Sequence, residues 1–198
     1  MQGSTLEQLQ QQLQSANAEA RRQAAEQLGQ VKDERAVEVL VMALTGGERD
    51  LSVWYAVAQA LVASGDARVI PALVEVLQHH EDDFVRAAAA GILGKIGGVQ
   101  AVEVLARALG EDRGIGGVVR AAAAWALGEI GDPQALPALS AALARNDKFE
   151  VLCNVAEALG KIGGAQAIES LGRILNDNRT ESTVRRAAAD ALGMIGGA

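Results

Sequence analysis

The chain is short of the residues that usually carry chemistry or cross-links. It has one cysteine among 198 residues, Cys153, which excludes an intramolecular disulfide framework and fits a reducing compartment. Its two histidines, His79 and His80, are adjacent. Aromatic residues make up only 3% although hydrophobic residues reach 49%, so the core must be built from Ala, Leu, Val and Ile. There are three prolines. Positive charge is also scarce: the net charge of −7 argues against a general nucleic-acid binder, which would carry a basic stripe for phosphate contact. No run of ~20 uninterrupted apolar residues is present, and the start MQGSTLEQLQQQLQ lacks the apolar stretch of a signal peptide, so a soluble, cytoplasmic protein without a membrane partner is expected.

What is present is a repeat. Residues 118–143, VVRAAAAWALGEIGDPQALPALSAAL, read as a helix, a glycine turn and a second helix. Copies align on Leu28, Leu61, Leu93, Leu127, Leu159 and Leu192, spaced by 33, 32, 34, 32 and 33 residues. A fixed period in this range marks a solenoid, whose units bury their apolar faces against their neighbours. First helices are expected at about 18–30, 51–63, 84–95, 118–129, 149–161 and 182–194, with Asp50, Asp83 and Ser182 as N-caps. Gly65, Gly97, Gly131, Gly163 and Gly196 stand where left-handed C-caps are needed, while Lys32 takes that place in the first repeat. Second helices are expected at about 34–45, 67–78, 99–110, 133–145 and 165–176, with Pro133 in a first turn.

The second helices share an apolar triplet: Val37, Leu40, Leu44; Ile70, Leu73, Leu77; Val102, Leu105, Leu109; Leu136, Leu139, Leu143; Ile168, Leu171, Leu175. Each such side chain contributes ~1.5–3 kcal/mol when buried. A further helix over residues 4–14, with Ser4 and Glu7 at capping-box spacing and Leu6, Leu9 and Leu13 on one face, opens the stack as a lone second helix. The expected organisation is one repeat domain over 1–198: cap helix 4–14, repeats 15–48, 49–81, 82–115, 116–147 and 148–180, and a half repeat 181–198.

The segments VRAAAAWALGEIGDPQALPAL, VRAAAAGILGKIGGVQAVEVL and VRRAAADALGMIGG resemble the short HEAT-like repeats of phycobilisome bilin lyases. The fold expected is an all-α, right-handed α-solenoid, a superhelix of about five and a half HEAT-like hairpins. The resemblance implies paired subunits that attach or detach bilins, or relatives that only bind partners; it transfers no catalytic residue. It also implies an arginine column bridging neighbouring repeats. Arg21, Arg86, Arg120 and Arg185 fill it here, and Trp54 and Leu152 interrupt it. The architecture also resembles deoxyhypusine hydroxylase, whose iron is held by several His-Glu pairs; His79 and His80 cannot supply such a set.

Candidate chemistry is sparse. His79, His80, Glu81, Asp82 and Asp83 read first as a solvated loop with a helix cap, and second as an adventitious cation site. Cys153 lacks a neighbouring base in its repeat and reads as a small packing residue rather than a nucleophile or thioether site. The glycine-rich loop 110–117 lacks the Lys-Ser/Thr of a P-loop and reads as a flexible insertion, the loop best placed to touch a partner.

Trp125 stands in a column otherwise held by Glu26, Gln59, Gly91, Glu157 and Asp190, so it is either an exposed anchor or a ring folded over Gly91. Trp54 sits at a more buried column, as packing first and a partner contact second. The outermost columns of the second helices read Glu38/Met42, Pro71/Glu75, Glu103/Arg107, Pro137/Ala141 and Glu169/Arg173. Pro137, Ala138, Ser140 and Ala141 make a smooth patch between charged neighbours, and Glu103–Arg107 and Glu169–Arg173 have intrahelical pairing distance.

The expected function is protein binding or scaffolding through this inner face, without bond chemistry, cofactor or metal. Partner-binding candidates are Trp125, Trp54, Met42, Glu75, Glu103, Arg107, Pro137, Ala141 and Arg173. The alternatives are a bilin lyase or chromophore-handling subunit working with a second chain, the one case that calls for a bilin, and an engineered repeat protein without a native ligand. The partner is another protein, through a heterodimer or end-to-end self-association.

Overall fold

A computed structural model describes residues 2–46, 48, 50–66, 68–110, 117–145 and 148–197, of which 2–5 by their backbone alone. Among these residues every regular element is helical, and no helix is long and apolar enough to cross a membrane. The chain packs as two compact units, Met1–Glu81 and Asp82–Ala198. The division falls at the expected end of the second repeat. Each unit is a stack of helical hairpins of the α-solenoid kind.

The first unit holds α1 (Gln2–Leu13), α2 (Ala18–Leu28), α3 (Glu34–Thr45), α4 (Leu51–Ser64) and α5 (Val69–His79). Here α2 packs beside α4, α3 lies beside α5, α1 rests on α2 and α3 on α4. The second unit holds α6 (Asp83–Ile96), α7 (Val99–Gly110), α8 (Val118–Ile130), α9 (Leu136–Leu143, led in by a 3-10 turn at Pro133–Ala135), α10 (Phe149–Ile162), α11 (Ala165–Asn176) and α12 (Ser182–Gly196). The first helices α6, α8, α10 and α12 line up in one layer and the second helices α7, α9 and α11 in another. Each second helix leans chiefly on the first helix that follows it, α7 on α8 and α11 on α12.

Glycine and alanine set the spacing of the first-helix layer. The residue after each aligned leucine is Gly29, Gly94, Gly128 or Gly160, and a Cβ there would stand 2.8–2.9 Å from the Cα of Ala60, Ala126, Ala158 or Ala191 on the next first helix. Only a missing side chain lets backbones approach so closely. Around this seam the aligned leucines 28, 61, 93, 127 and 159 are fully buried.

Turn chemistry follows sequence. Where the turn reads Gly-Asp, at Gly65-Asp66 and Gly131-Asp132, the glycine is left-handed, and the aspartate oxygen accepts from the N–H two residues on, Arg68 or Gln134. Where it reads Gly-Gly, at 97–98 and 163–164, both residues have positive φ. Lys32-Asp33 uses the aspartate alone, which caps α3, and α2 ends early at Leu28.

Several expectations are corrected. Helix α1 begins at Gln2, so Ser4 lies inside it rather than capping it. Asp82, with extended backbone, caps α6; Asp83 is already helical and pairs with Arg86 instead. Ser182 is the first residue of α12 and does not cap it. Gly196 is helical, and the cap position falls to Gly197 with negative φ. Asp50 caps α4 as expected. Leu40, Leu73, Leu105, Leu139 and Leu171 are buried, but Ile168 and Leu175 are 48% and 40% exposed, because α11 lies beside only one second helix, α9.

Candidate functional site

The arginine column organises the ends of the hairpins. Arg21 donates from Nη1 to the carbonyls of Ser15 and Ala16, at 2.8 and 3.2 Å. From Nε and Nη2 it donates to both oxygens of Glu48, at 2.8 and 3.1 Å. One guanidinium thus ties the loop entering α2 to the loop entering α4. The pairing raises the pKa of Arg21 further above its ordinary value, Glu48 being the main cause. Arg120 is buried with its guanidinium against Gly117. Arg185 reaches Asn178 at 3.3 Å.

The two interruptions behave differently. Trp54 is fully buried, and its indole N–H donates to the carbonyl of Leu44 at 3.3 Å. Its column is therefore core, and Trp54 is removed from the partner-binding candidates: a side chain without exposed surface meets no partner. Leu152 is also buried. A cavity of about 500 Å³ lies beside it, lined also by Leu143, Arg145, Phe149, Arg179, Glu181 and Val184. The equivalent place in the first unit is a cavity of about 590 Å³ with Arg21 and Glu48 on its wall and Met42 at its edge. Sequence reading noted the missing arginine at Leu152 but not the cavity, which stands in the first unit beside an arginine that is present. It also missed Arg145, which donates to the carbonyls of Leu109 and Gly110 at 2.7 and 3.0 Å and so closes the C-terminal end of α7.

Of the remaining candidates, Met42 on α3 and Glu75 on α5 are exposed, as are Glu103 and Arg107 on α7, Pro137 and Ala141 on α9, and Arg173 on α11. In the second unit these side chains share the second-helix layer. Arg173 pairs with Glu169; Glu103 and Arg107, at the same spacing, do not pair. The smooth patch narrows to Pro137 and Ala141, because Ala138 is half-buried and the Ser140 hydroxyl accepts from Ser170 at 2.9 Å. Trp125 belongs to the other layer and is not brought together with them. Its ring is half-buried, with Cζ3 3.8 Å from where a Cβ of Gly91 would sit. The tryptophan thus fills the space its glycine neighbour leaves, which is the folded-over alternative.

The candidate chemistry does not assemble. His79 is the last residue of α5, His80 its C-cap and Asp82 the cap of α6. Among the described residues no group of three His, Cys, Asp or Glu side chains converges as a metal site. Cys153 is half-buried, and burial first, then Glu181 and Glu150, push its thiol above the ordinary value of 9.0, against a smaller opposing pull from Arg186. A thiol held protonated is a poor nucleophile. The glycine-rich loop falls on residues 111–116, which lie outside the described residues.

Comparison with known proteins agrees with this geometry. Residues 6–91, 46–115 and 117–193 match the HEAT-repeat family. A stretch of 61 residues is 48% identical to the bilin biosynthesis protein PecE of Mastigocladus laminosus, covering 31% of this chain and 22% of that protein. The chain thus matches less than a quarter of that relative's length. The solved complex of CpcE and CpcF of the Nostoc phycocyanin lyase is similar over 96% of this chain and 77% of the matched chain, at 28% identity and TM-score 0.57. Human deoxyhypusine hydroxylase is similar over 98% of this chain and 85% of its own, at TM-score 0.58, but at 23% identity this likeness concerns the fold alone. With the repeat period, the hairpin stacking and the family match in agreement, the chain belongs to the HEAT-repeat family, and its repeats are akin to those of the phycobilisome lyases.

Proposed function

We propose that the chain is a protein-binding HEAT-repeat subunit of a bilin-handling assembly, one that recognises a protein surface and leaves bond chemistry to a second chain. The observation that carries this reading is the second-helix layer of the second unit. Glu103, Arg107, Pro137, Ala141, Glu169 and Arg173 all face solvent, two per helix, alternating charged and apolar along the layer. Such a surface suits many weak contacts around a polar rim. The raised pKa of Cys153 argues against a thiolate-based reaction by this chain alone. The bilin component rests on the likeness to PecE, a bilin biosynthesis protein, and to CpcE and CpcF, which form a two-chain phycocyanin lyase complex.

Sedimentation velocity tests it directly. The chain is mixed with purified phycocyanin, with and without its bilin, and with a lyase-type second chain, and read at visible and ultraviolet wavelengths. A faster species containing the chain is expected with phycocyanin, the second chain or both. Charge reversal at Arg107→Glu with Arg173→Glu is expected to weaken it. A chain that sediments alone in every mixture sinks the reading. A complex indifferent to the charge reversals moves the contact away from the second-helix layer.

A further inference from the structure

The first-helix layer of the second unit repeats one contact and ends with it unused. On α6, α8 and α10 the alanine three residues before the aligned leucine (Ala90, Ala124, Ala156) is fully buried, as is the leucine itself. The glycine that follows the leucine, Gly94, Gly128 or Gly160, is met by the backbone of the next first helix. Helix α12 carries the same three residues as Ala189, Leu192 and Gly193. Here Ala189 and Gly193 are exposed and Leu192 is only half-buried. Among the described residues nothing outside the helix stands within 4 Å of where a Gly193 Cβ would be. The open side of α11 adds Ile168 and Leu175, 48% and 40% exposed, where the counterparts Val102 and Leu109 of α7 are buried. We infer that a second copy of this chain covers this apolar end, tail to tail about a twofold axis, with Ala189 of each α12 seated against Gly193 of the other. This pairing stands beside the protein-binding reading above and uses different side chains.

Three features point to a second copy. The face continues an interface the fold already uses, since glycine against alanine is how α6 meets α8, α8 meets α10 and α10 meets α12. Ala189 and Gly193 lie about one helical turn apart. Two antiparallel α12 helices therefore satisfy the twofold requirement that each residue of a contacting pair occurs once on either side. In that register the exposed Arg186 of one copy comes to the last turn of the other α12, near Gly196, where helix carbonyls gather negative partial charge.

The N-terminal helices of another copy do not fit this face. Gln27 of α2 stands just before the aligned Leu28, the place that Ala126, Ala158 and Ala191 hold on the helices that do meet a glycine. Seating Gln27 on Gly193 would bury its amide against an apolar surface without a partner. Helix α1 presents Glu7, Gln8, Gln10, Gln11 and Gln12 to solvent. Head-to-tail growth is therefore disfavoured, and pairing stops at two chains. Area sets the strength: two helices about 20 Å long and about 9 Å apart offer roughly 400 Å² per copy, half of a standard interface, so the dimer is reversible, with a dissociation constant on the order of tens of micromolar.

Sedimentation equilibrium of the full chain alone, between about 5 and 500 µM, tests the pairing. The weight-average mass is expected to rise from one chain to two and stop there. Gly193→Leu has room for its side chain within one copy, so it should keep the thermal midpoint measured at low concentration while weakening the dimer at least about tenfold. Ala189→Glu should weaken it likewise by bringing two carboxylates close to the twofold axis. Arg107→Glu, on the second-helix layer, should leave it unchanged. Chains with Ala189→Cys and chains with Gly193→Cys, both also carrying Cys153→Ser, should form a disulfide faster when mixed than either does by itself. A monomer at every concentration, growth beyond two chains, or a dimer as tight in either Gly193→Leu or Ala189→Glu as in the parent overturns the inference. If the parent stays monomeric while Gly193→Leu abolishes a complex with a second chain, the face belongs to that partner and the inference also falls. Self-pairing is read on the chain alone and partner binding on mixtures, so the two readings fall separately.

Discussion

Gly128 of α8 lies against Ala158 of α10 so closely that a Cβ on the glycine would sit 2.9 Å from the alanine Cα. The obstacle is backbone, which cannot swing aside as a side chain would. Gly128→Ala should therefore destabilise the second unit by ~1–3 kcal/mol through overpacking, although alanine gains ~1 kcal/mol of helix propensity. Gly172, inside α11, has open space where a Cβ would stand. Gly172→Ala should show the propensity gain alone, up to ~1 kcal/mol of stabilisation. Urea melts of the two variants check the pair. Shifts of the same sign would mean that the glycine column is not a packing device.

The bidentate contact between Arg21 and Glu48 joins two loops of the first unit, with both side chains largely shielded. Arg21→Met removes donors from two carbonyls and a carboxylate and should cost ~1–3 kcal/mol. A double-mutant cycle with Glu48→Gln should give a coupling of ~0.5–3 kcal/mol, reduced by salt less than an exposed pair would be. Zero coupling would reduce the bridge to two independent caps.

These contacts mark the limit of what the chain reveals by itself. The period, the hairpins and the leucine seam were legible because each repeat restates the same apolar spacing. The arginine column was legible as a column, and Trp54 and Leu152 as its breaks. Their consequences were not. Trp54 fills its place and satisfies its N–H with Leu44, whereas Leu152 is buried at the wall of a cavity; volume and loop position decide this, and neither has a sequence signature. Trp125 was ambiguous because its column is polar elsewhere; its neighbour Gly91 resolved it by leaving room for the ring. The Asp82 and Asp83 pair was misassigned by one residue because adjacent aspartates are equally good caps, and only backbone conformation chooses between them.

Cys153 gives a chemical check on the proposed division of labour. Burial and the nearby Glu181 and Glu150 favour the neutral thiol. Its alkylation by iodoacetamide should be slow at pH 8 and should accelerate only above the range of an ordinary cysteine. A rate against pH that levels off near neutrality would reveal an activated thiolate and would reopen nucleophilic chemistry for this chain.

The two tryptophans should separate cleanly by quenching. Trp54 is fully buried and hydrogen-bonded, while Trp125 is half-buried over Gly91. Acrylamide should quench a Trp54→Phe variant more strongly than a Trp125→Phe variant. Trp54→Ala should cost ~3–5 kcal/mol as a large core truncation, and Trp125→Ala clearly less. Comparable losses would mean that the first-helix layer closes over Trp125 more completely than its exposure indicates.

Asp66 carries the acid-side prediction. Its Oδ1 accepts from the backbone N–H of Arg68 at 2.8 Å and from Nε at 2.9 Å, and its Oδ2 accepts from Nη2 at 2.9 Å. The Arg68 guanidinium first, then the Arg68 backbone N–H, hold the carboxyl at about 2, below the ordinary 3.8. A carboxyl depressed in the folded chain binds its proton more readily when unfolded, so stability rises with pH across this interval. The contribution is present above 3.8 and is lost as pH falls toward 2. The Asp66 side-chain carbon resonance should therefore titrate with a midpoint near 2. The melting difference between the parent chain and Asp66→Asn should be constant above pH 5 and shrink steadily between pH 4 and pH 2. A midpoint near the ordinary aspartate value, or a difference unchanged across that window, would show that the Arg68 contact is not maintained in solution.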